Sequence, residues 1–213
     1  MPPAMYRSGI FALTTFMTMN TSIIHESLKT GKNFKVGHFS IIGKDCVFGD
    51  NVTVDSHAVI GDNVHLGDGS VVGNYCEIGK NLKTGQNVKL QGRIRTAEGC
   101  VIEDDVTVKY GTILTSNVLI KKGAFIGPNV ITLGSTHLHE TKHGTEIGER
   151  CYIGAGSKLA ASVKIGNDIT VGAMGFVNKD ITESGIYVGV PVRLIAQKDY
   201  WKEKDFVEGG FKQ

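Results

Sequence analysis

The sequence contains little proline, cysteine or tryptophan, with 4, 4 and 1 of 213 residues respectively. Scarce proline excludes a proline-rich linker, and the glycines do not recur at every third residue as they would in collagen. Neither sign of charge dominates, because 23 Lys and Arg oppose 21 Asp and Glu without a basic block or an acidic tail. This balance argues against nucleic acid as a partner and favours small molecules. Long apolar runs are also missing, since IFALTTFM at 10–17 is too short to cross a membrane.

Glycine is the residue in excess, at 28 of 213 positions, where a usual protein has about 7%. The excess follows a period of six. Apart from Thr84 and Thr96, large apolar residues recur every six positions from Val36 to Ile126, and after one interruption from Ile147 to Val177. The position after them is often Gly, and the fifth position of each hexad is small or β-branched. Such a pattern is typical of a hexapeptide repeat.

A period of six fits neither a helix, with apolar residues at three and four, nor an alternating strand. We expect a short strand plus a corner in each hexad. Three hexads then form one triangular coil of 18 residues, and successive coils stack at about 4.8 Å. The hexads at 36–131 and 147–182 predict about seven coils.

This pattern resembles the hexapeptide-repeat acyltransferases, whose fold is the left-handed parallel β-helix. The hand of the helix is taken from this resemblance, because crossovers between parallel strands are otherwise right-handed. The resemblance implies an all-β domain at 36–192 with an extruded loop at 134–146. It leaves an N-terminal extension at 1–35 and a C-terminal tail at 193–213, where LIAQKDYWKEKDF suggests a short helix that caps the coil stack.

The cysteines all fall on the small fifth position of a hexad, namely Cys46, Cys76, Cys100 and Cys151. We therefore expect buried thiols that act as small apolar residues, not nucleophiles, zinc ligands or disulfides. A reducing cytoplasm is the expected location. Arg7 before the apolar run gives a faint resemblance to a signal peptide, but no small-residue cleavage pattern follows.

Histidines concentrate where the repeat breaks, in ITLGSTHLHETKHGTEIG at 131–148. Loops on a rigid scaffold tend to hold catalytic groups, and imidazole titrates near neutral pH, as a general base requires. His137 follows an aliphatic-Thr-Leu strand, which resembles the thiogalactoside and maltose acetyltransferases, where such a histidine is the base. His143 is similar in place to a histidine of the serine acetyltransferases and is the second candidate. His139 is the third.

The C-terminal hexads CYIGAGSKL, VGAMGFVNKDI and YVGVPVRLI resemble the coenzyme-binding end of these acetyltransferases. The resemblance implies acetyl-CoA as co-substrate, with small residues that admit its pantetheine arm and cations that meet its phosphates. The corresponding positions are Ala155, Ala173, Asn178, Lys179 and Arg193. The family builds its site between subunits of a trimer, so a homotrimer is expected.

A narrower resemblance concerns NVKLQGRIRTAEGCVIEDDVTV at 87–108, which is similar to the nucleotide-linked amino-sugar N-acetyltransferases. It implies an amino-sugar acceptor attached to a nucleotide, with Gln91, Arg93 and Arg95 as candidate substrate-binding residues. Gly92 and Arg93 stand where those proteins commonly carry paired asparagines. O-acetylation of a sugar or another small hydroxyl compound is the alternative.

Two other functions use the same scaffold. A γ-type carbonic anhydrase would need histidines that converge on zinc from neighbouring coils, but no two of the seven histidines are 18 or 36 residues apart. A non-enzymatic or ice-binding β-helix would present a flat ladder of Thr-x-Thr motifs in place of a histidine-containing loop. The sequence predicts no metal site and no membrane contact.

Overall fold

The chain winds as a three-sided coil in which every side is a parallel β-sheet. A computed structural model describes residues 21–136, 138–142 and 144–197. Within these residues there are strands, turns and bends but no helix, and the three sheets contain nine, eight and ten strands. From β1 to β25 the strands visit the three sheets in rotation, so neighbours in one sheet are three strands apart in the chain.

The first two sheets consist of two-residue strands. Sheet A contains β1 (Ile23–Ile24), β4 (Ile41–Ile42), β7 (Val59–Ile60), β10 (Glu77–Ile78), β13 (Arg95–Thr96), β16 (Ile113–Leu114), β19 (Ile131–Thr132), β22 (Lys158–Leu159) and β25 (Phe176–Val177). Sheet B contains β2 (Lys29–Thr30), β5 (Val47–Phe48), β8 (His65–Leu66), β11 (Lys83–Thr84), β14 (Val101–Ile102), β17 (Leu119–Ile120), β20 (Glu146–Ile147) and β23 (Lys164–Ile165).

The third sheet also receives the end of the described chain. Sheet C contains β3 (Lys35–Val36), β6 (Thr53–Val54), β9 (Val71–Val72), β12 (Lys89–Leu90), β15 (Thr107–Val108), β18 (Phe125–Ile126), β21 (Tyr152–Ile153), β24 (Ile169–Val171), β26 (Gly185–Gly189) and β27 (Val192–Ala196). We name the corners by the sheets they join, in chain order: A–B, B–C and C–A.

The register between coils is 18 residues, as the hexad pattern predicts. Ile41 pairs with Val59, and Val59 pairs with Glu77. From β4 onward the second residue of almost every strand lies inside the prism and is buried. The fifth residues of the hexads, from Ser40 to Val130 and from Cys151 to Ile181, are buried there too. The prediction of an all-β parallel helix is confirmed, and the architecture is that of the left-handed β-helix.

The corners explain the glycine excess. At many corners a side chain of the next coil accepts a hydrogen bond from a backbone N–H of the coil before it. Asp50 Oδ1 accepts from Lys32 N at 2.7 Å, and Asp104 Oδ1 accepts from Gln86 N at 2.9 Å. A side chain on Gly85 would collide with the Asp104 carboxylate and lie 2.7 Å from the Asp104 backbone nitrogen. Glycine therefore permits the close stacking of corners.

The β-helix starts earlier than the sequence pattern indicates. β1 and β2 lie within the predicted extension 1–35, yet Ile23 pairs with Ile41 and Lys29 pairs with Val47. The pattern is weak there because His25 replaces glycine after Ile24 and Thr30 occupies an apolar position. With these strands and those at the other end there are about nine coils, not seven.

The C-terminal boundary also differs from the expectation. Residues 193–196, placed in the predicted helical tail, belong to β27, which pairs antiparallel with β26. β26 pairs in turn with β24, so the hairpin extends sheet C beyond the last coil. β26 pairs with the backbone groups at the open edge of β24, and β27 then pairs with the free edge of β26. The rest of the predicted tail, 198–213, lies outside the described residues, as do residues 1–20 of the predicted extension.

We predict that Gly85→Ala destabilises the protein, because the added methyl group must displace the Asp104 backbone of the next coil. Forcing one methyl group into a closely packed site costs about 1–3 kcal/mol. Thermal unfolding followed by circular dichroism measures the change. Gly134→Ala is the control, since its new carbon would approach only the Thr115 side chain, at 3.3 Å. Equal melting temperatures for the two variants would contradict the account of the corners.

Candidate active site

The predicted loop leaves the prism at the A–B corner between β19 and β20. It is a small hairpin, in which Ser135 bridges Thr141 in antiparallel fashion. Lys142 N donates to Gly134 O at 2.9 Å, and Thr136 N donates to Glu140 O at 2.9 Å. Glu146 already belongs to β20, so the loop ends one residue before the predicted limit.

The base of the hairpin is fixed to the preceding coil. The hydroxyl oxygens of Thr115 and Thr132 are 2.8 Å apart, and Gly144 N donates to Ser116 O at 3.3 Å. His139 lies exposed at the hairpin tip in a left-handed conformation, with φ of 61°. The other two candidate bases, His137 and His143, lie outside the described residues.

The candidate coenzyme residues are divided between two corners and one strand. Asn178 and Lys179 are exposed on the same A–B corner as the hairpin, two coils further on. Ala155 and Ala173 follow β21 and β24 at the C–A corner, where Met174 N donates to Ala155 O at 2.8 Å. Arg193 is exposed on β27. Within one protomer, the small residues and the hairpin therefore lie at different corners.

The candidate acceptor residues differ in how firmly the protein already engages them. Nε and Nη2 of Arg95 contact Glu77 Oε2 at 2.7 and 2.6 Å, so this cation has a partner on its own sheet. The Arg93 guanidinium lies 5.7 Å from the ring centres of both Tyr75 and Tyr110. Gln91 lines a hollow near these rings. The structure thus groups Gln91 and Arg93 and directs Arg95 to another contact.

A ladder of stacked side chains at the C–A corner was not predicted. Phe39, His57 and Tyr75 occupy one column, with ring centres 5.3 and 4.7 Å apart, and Arg93 continues it. Their 18-residue spacing was visible in the sequence. Without the corner geometry, however, nothing indicated that this column points outward and not into the prism.

The cysteines are buried, as predicted. All four are free and at most 1% exposed. Each thiol donates to a carbonyl of the next coil: Cys46 to Gly61 at 3.3 Å, Cys76 to Leu90 at 4.0 Å, Cys100 to Thr115 at 3.2 Å and Cys151 to Gly166 at 3.0 Å. Burial raises the pKa of Cys46 and Cys76, and raises that of Cys100 to about 11.

In the part of the chain that the structure describes, no three His, Cys, Asp or Glu side chains are grouped so that they could hold a metal ion. Among the same residues, no helix has the length and apolar character needed to cross a membrane.

Family models match both parts of the repeat. A model described as the GMPPB C-terminal domain matches residues 18–122, and one described as the hexapeptide repeat of succinyl-transferase matches residues 144–175. Together with the coils of the structure, these matches define a hexapeptide-repeat protein.

Curated relatives resemble a limited part of the chain. Serine acetyltransferase of Mycobacterium tuberculosis (strain ATCC 25618 / H37Rv) is 39% identical over 67 residues, which cover 32% of this chain and 29% of that protein. The serine acetyltransferase of Staphylococcus aureus (strain N315) is 31% identical over 67 residues, with 32% of each chain covered. The chain therefore spans about a third of the length of these relatives.

Solved structures share the fold at low identity. LpxA from Acinetobacter baumannii has a TM-score of 0.62 and 16% identity, with 88% of this chain and 78% of that chain covered. PerB from Caulobacter crescentus, solved with CoA and GDP-perosamine, has a TM-score of 0.51 and 22% identity, with 57% and 54% covered. The polySia-specific acetyltransferase NeuO has a TM-score of 0.50 and 17% identity, with 89% and 93% covered. At these identities the likeness shows a shared fold.

We predict that the four thiols resist labelling in the folded protein, because burial hides all of them and disfavours the reactive thiolate of Cys46, Cys76 and Cys100. At about pH 8, Ellman's reagent should label them only after denaturation. Cys100 ionises at a lower pH in the unfolded chain than in the folded protein. The free energy of unfolding therefore falls as the pH rises towards about 11, the pKa of the buried thiol. Rapid labelling of the native protein at Cys100 would show that the interior is more open than the coils indicate.

Proposed function

We propose that this protein is an acetyl-CoA-dependent acetyltransferase whose acceptor is an amino sugar linked to a nucleotide. The observation that carries the proposal is the hairpin at 133–145, which places His139 at the corner that also carries Asn178 and Lys179. The sequence of the same loop also contains His137 and His143. Support comes from the acetyltransferases among the similar proteins, and from PerB, which was solved with CoA and a nucleotide-linked sugar.

The reaction is a direct transfer. The amine of the acceptor attacks the thioester carbonyl, the base accepts its proton, and the carbon–sulfur bond breaks as the proton passes to the departing thiolate. His137 is the proposed base, with His143 and then His139 as alternatives. Backbone N–H groups at the corners would stabilise the oxyanion. No covalent enzyme intermediate is needed.

We assign the binding residues to the coenzyme or to the acceptor. Ala155 and Ala173 leave room for the pantetheine arm, and Asn178, Lys179 and Arg193 meet the polar end of the coenzyme. Gln91 and Arg93 contact the acceptor, whereas Arg95 stays with Glu77. Because Ala155 and the hairpin lie at different corners of one protomer, we propose a cytoplasmic homotrimer in which neighbouring protomers complete each site.

A hydroxyl acceptor is the second candidate. The matched relatives are serine acetyltransferases, and a base that removes a proton from an amine is also suited to a hydroxyl group. The proposed site is the same, and only the acceptor differs.

The first test is release of the coenzyme thiol from acetyl-CoA with UDP- and GDP-linked amino sugars, unlinked amino sugars and serine. Replacement of the base by alanine should lower kcat about 100-fold or more, and His137→Ala, His143→Ala and His139→Ala identify it. His65→Ala, on β8 of sheet B, is the control that should keep the parent's rate. If all three loop variants matched the parent, a histidine base would be ruled out.

A second test concerns the shared site. Ala155→Trp should block the coenzyme arm, and His137→Ala should remove the base, so each variant alone is inactive. If neighbouring protomers supply these two residues, trimers reassembled from equal amounts of both variants contain intact sites at about one quarter of the interfaces. We expect that fraction of the parent's rate. Mixtures as inactive as the separate variants would place both residues in the site of one protomer.

A further inference from the structure

A cavity of about 330 Å³ opens where sheet C meets the C–A corner, near the ladder at that corner. It is built from four consecutive coils, which contain β6, β9, β12 and β15. Asp55, Gly73 and Gln91 form one column of its wall, and Asn74, Gly92 and Tyr110 form the next. Lys89 lies at the edge, and the partly exposed Val71 adds apolar surface.

Two glycines create the hollow. Gly73 lies between residues with side chains in its column, Asp55 and Gln91, and Gly92 lies between Asn74 and Tyr110. A side chain at Gly73 would approach the backbone nitrogen of Gly92 to 2.7 Å. Gly92 has φ of +102°, and a side chain there would come within 3.2 Å of the Tyr110 ring. Stacking of the coils therefore holds the hollow open in the folded protein.

Most polar side-chain groups at this cavity form no hydrogen bond or ion pair with other described residues. No hydrogen bond or ion pair within the described ranges engages the side chains of Asp55, Lys89 or Gln91, or the Tyr110 hydroxyl. The Asn74 carbonyl oxygen accepts from Ser56 N at 3.2 Å, which leaves its amide NH₂ to donate. The cavity thus offers a carboxylate acceptor, amide and ammonium donors, and one aromatic ring within a small volume.

We propose that this cavity binds the sugar ring of the acceptor. A pyranose presents hydroxyl or amino groups around its edge and C–H groups on its faces. Asp55 and Gln91 can accept from the former, Lys89 and Asn74 can donate to its oxygens, and the Tyr110 ring can pack against a face. The Arg93 guanidinium, stacked on Tyr110, is placed to meet a phosphate attached to the sugar. As the acceptor's site, the cavity rests on the function proposed above.

The position of the cavity has a consequence for the reaction. It lies at the C–A corner on the coils of β6, β9, β12 and β15, whereas the hairpin lies at the A–B corner after β19. A sugar held here is therefore reached by the hairpin of a neighbouring protomer and not by that of its own.

The test measures binding without acetyl-CoA, by isothermal titration with UDP-N-acetylglucosamine, GDP-mannose, UDP and GDP. Tyr110→Leu should weaken the binding of the sugar nucleotide at least about tenfold. Tyr75→Leu is the matched control, because Tyr75 stacks on Arg93 at the same 5.7 Å but does not line the cavity. It should change the affinity less than about twofold. Equal losses in both variants would mean that only the Arg93 stack matters and would overturn the proposal.

A second pair of variants tests the edge of the cavity. Lys89→Ala should weaken sugar-nucleotide binding, whereas Lys83→Ala should not, because Lys83 holds the same strand position on β11 of sheet B. Asp55→Asn should lower the affinity for the sugar nucleotide and leave that for UDP or GDP alone unchanged. Loss of nucleoside diphosphate binding in Asp55→Asn would assign the cavity to the nucleotide and overturn the sugar assignment.

The outcomes separate this inference from the proposed function. If the cavity variants leave both binding and the acceptor KM unchanged while acetyl transfer proceeds, the cavity assignment is wrong and the acetyltransferase stands. If the variants lose binding but no acceptor releases thiol from acetyl-CoA, the sugar site stands and the proposed reaction is wrong. A His137→Ala variant that still binds the sugar nucleotide would support separate roles for the cavity, which binds the sugar, and for His137, which accepts the proton.

Discussion

The structure depends on the parallel backbone hydrogen bonds between residues of successive coils. Gly49 N donates to Leu66 O at 2.8 Å, and the same bond recurs along each sheet. Because each strand has only two residues, a strand alone offers almost no pairing energy, and its stability comes from the coils on either side. This hydrogen-bonded register places residues that are 18 apart in the sequence directly above one another. Each column of such residues therefore has the same position in every coil.

The same hydrogen bonds between coils are kept on either side of the hairpin. Ile131 pairs with Lys158, so two strands 27 residues apart occupy neighbouring coils as closely as strands 18 apart do elsewhere. Leu133 N donates to Leu159 O at 2.8 Å, directly beside the insertion. Loop closure becomes only slowly more costly with length, and the stack around the insertion is unchanged. A chemically active loop can therefore be added to one corner without loss of the scaffold.

Column geometry also decides which surface groups are available for binding. Glu77 and Arg95 face each other from adjacent strands of sheet A and neutralise each other. At the C–A corner, glycines at 73 and 92 leave neighbouring polar groups without a partner in the described structure, and a cavity results. Whether a charged residue is structural or free thus depends on what lies one coil away. The proposed acceptor site combines these features with the stacked Arg93.

The sequence by itself determined the period, the buried columns and the place where the period breaks, because each hexad repeats the same local requirement for a large residue, a glycine and a small residue. It also identified the thiols as core residues from their position alone. The sequence did not show where the β-helix begins, since His25 and Thr30 depart from the pattern and only pairing with the next coil holds β1 and β2 in place. The tertiary structure alone decided that Arg95 is engaged by Glu77, that Arg93 is stacked between two tyrosines, and that residues 192–196 form a strand. These outcomes depend on contacts across coils and at an open sheet edge, where the identity of a neighbour distant in sequence determines what a side chain can do.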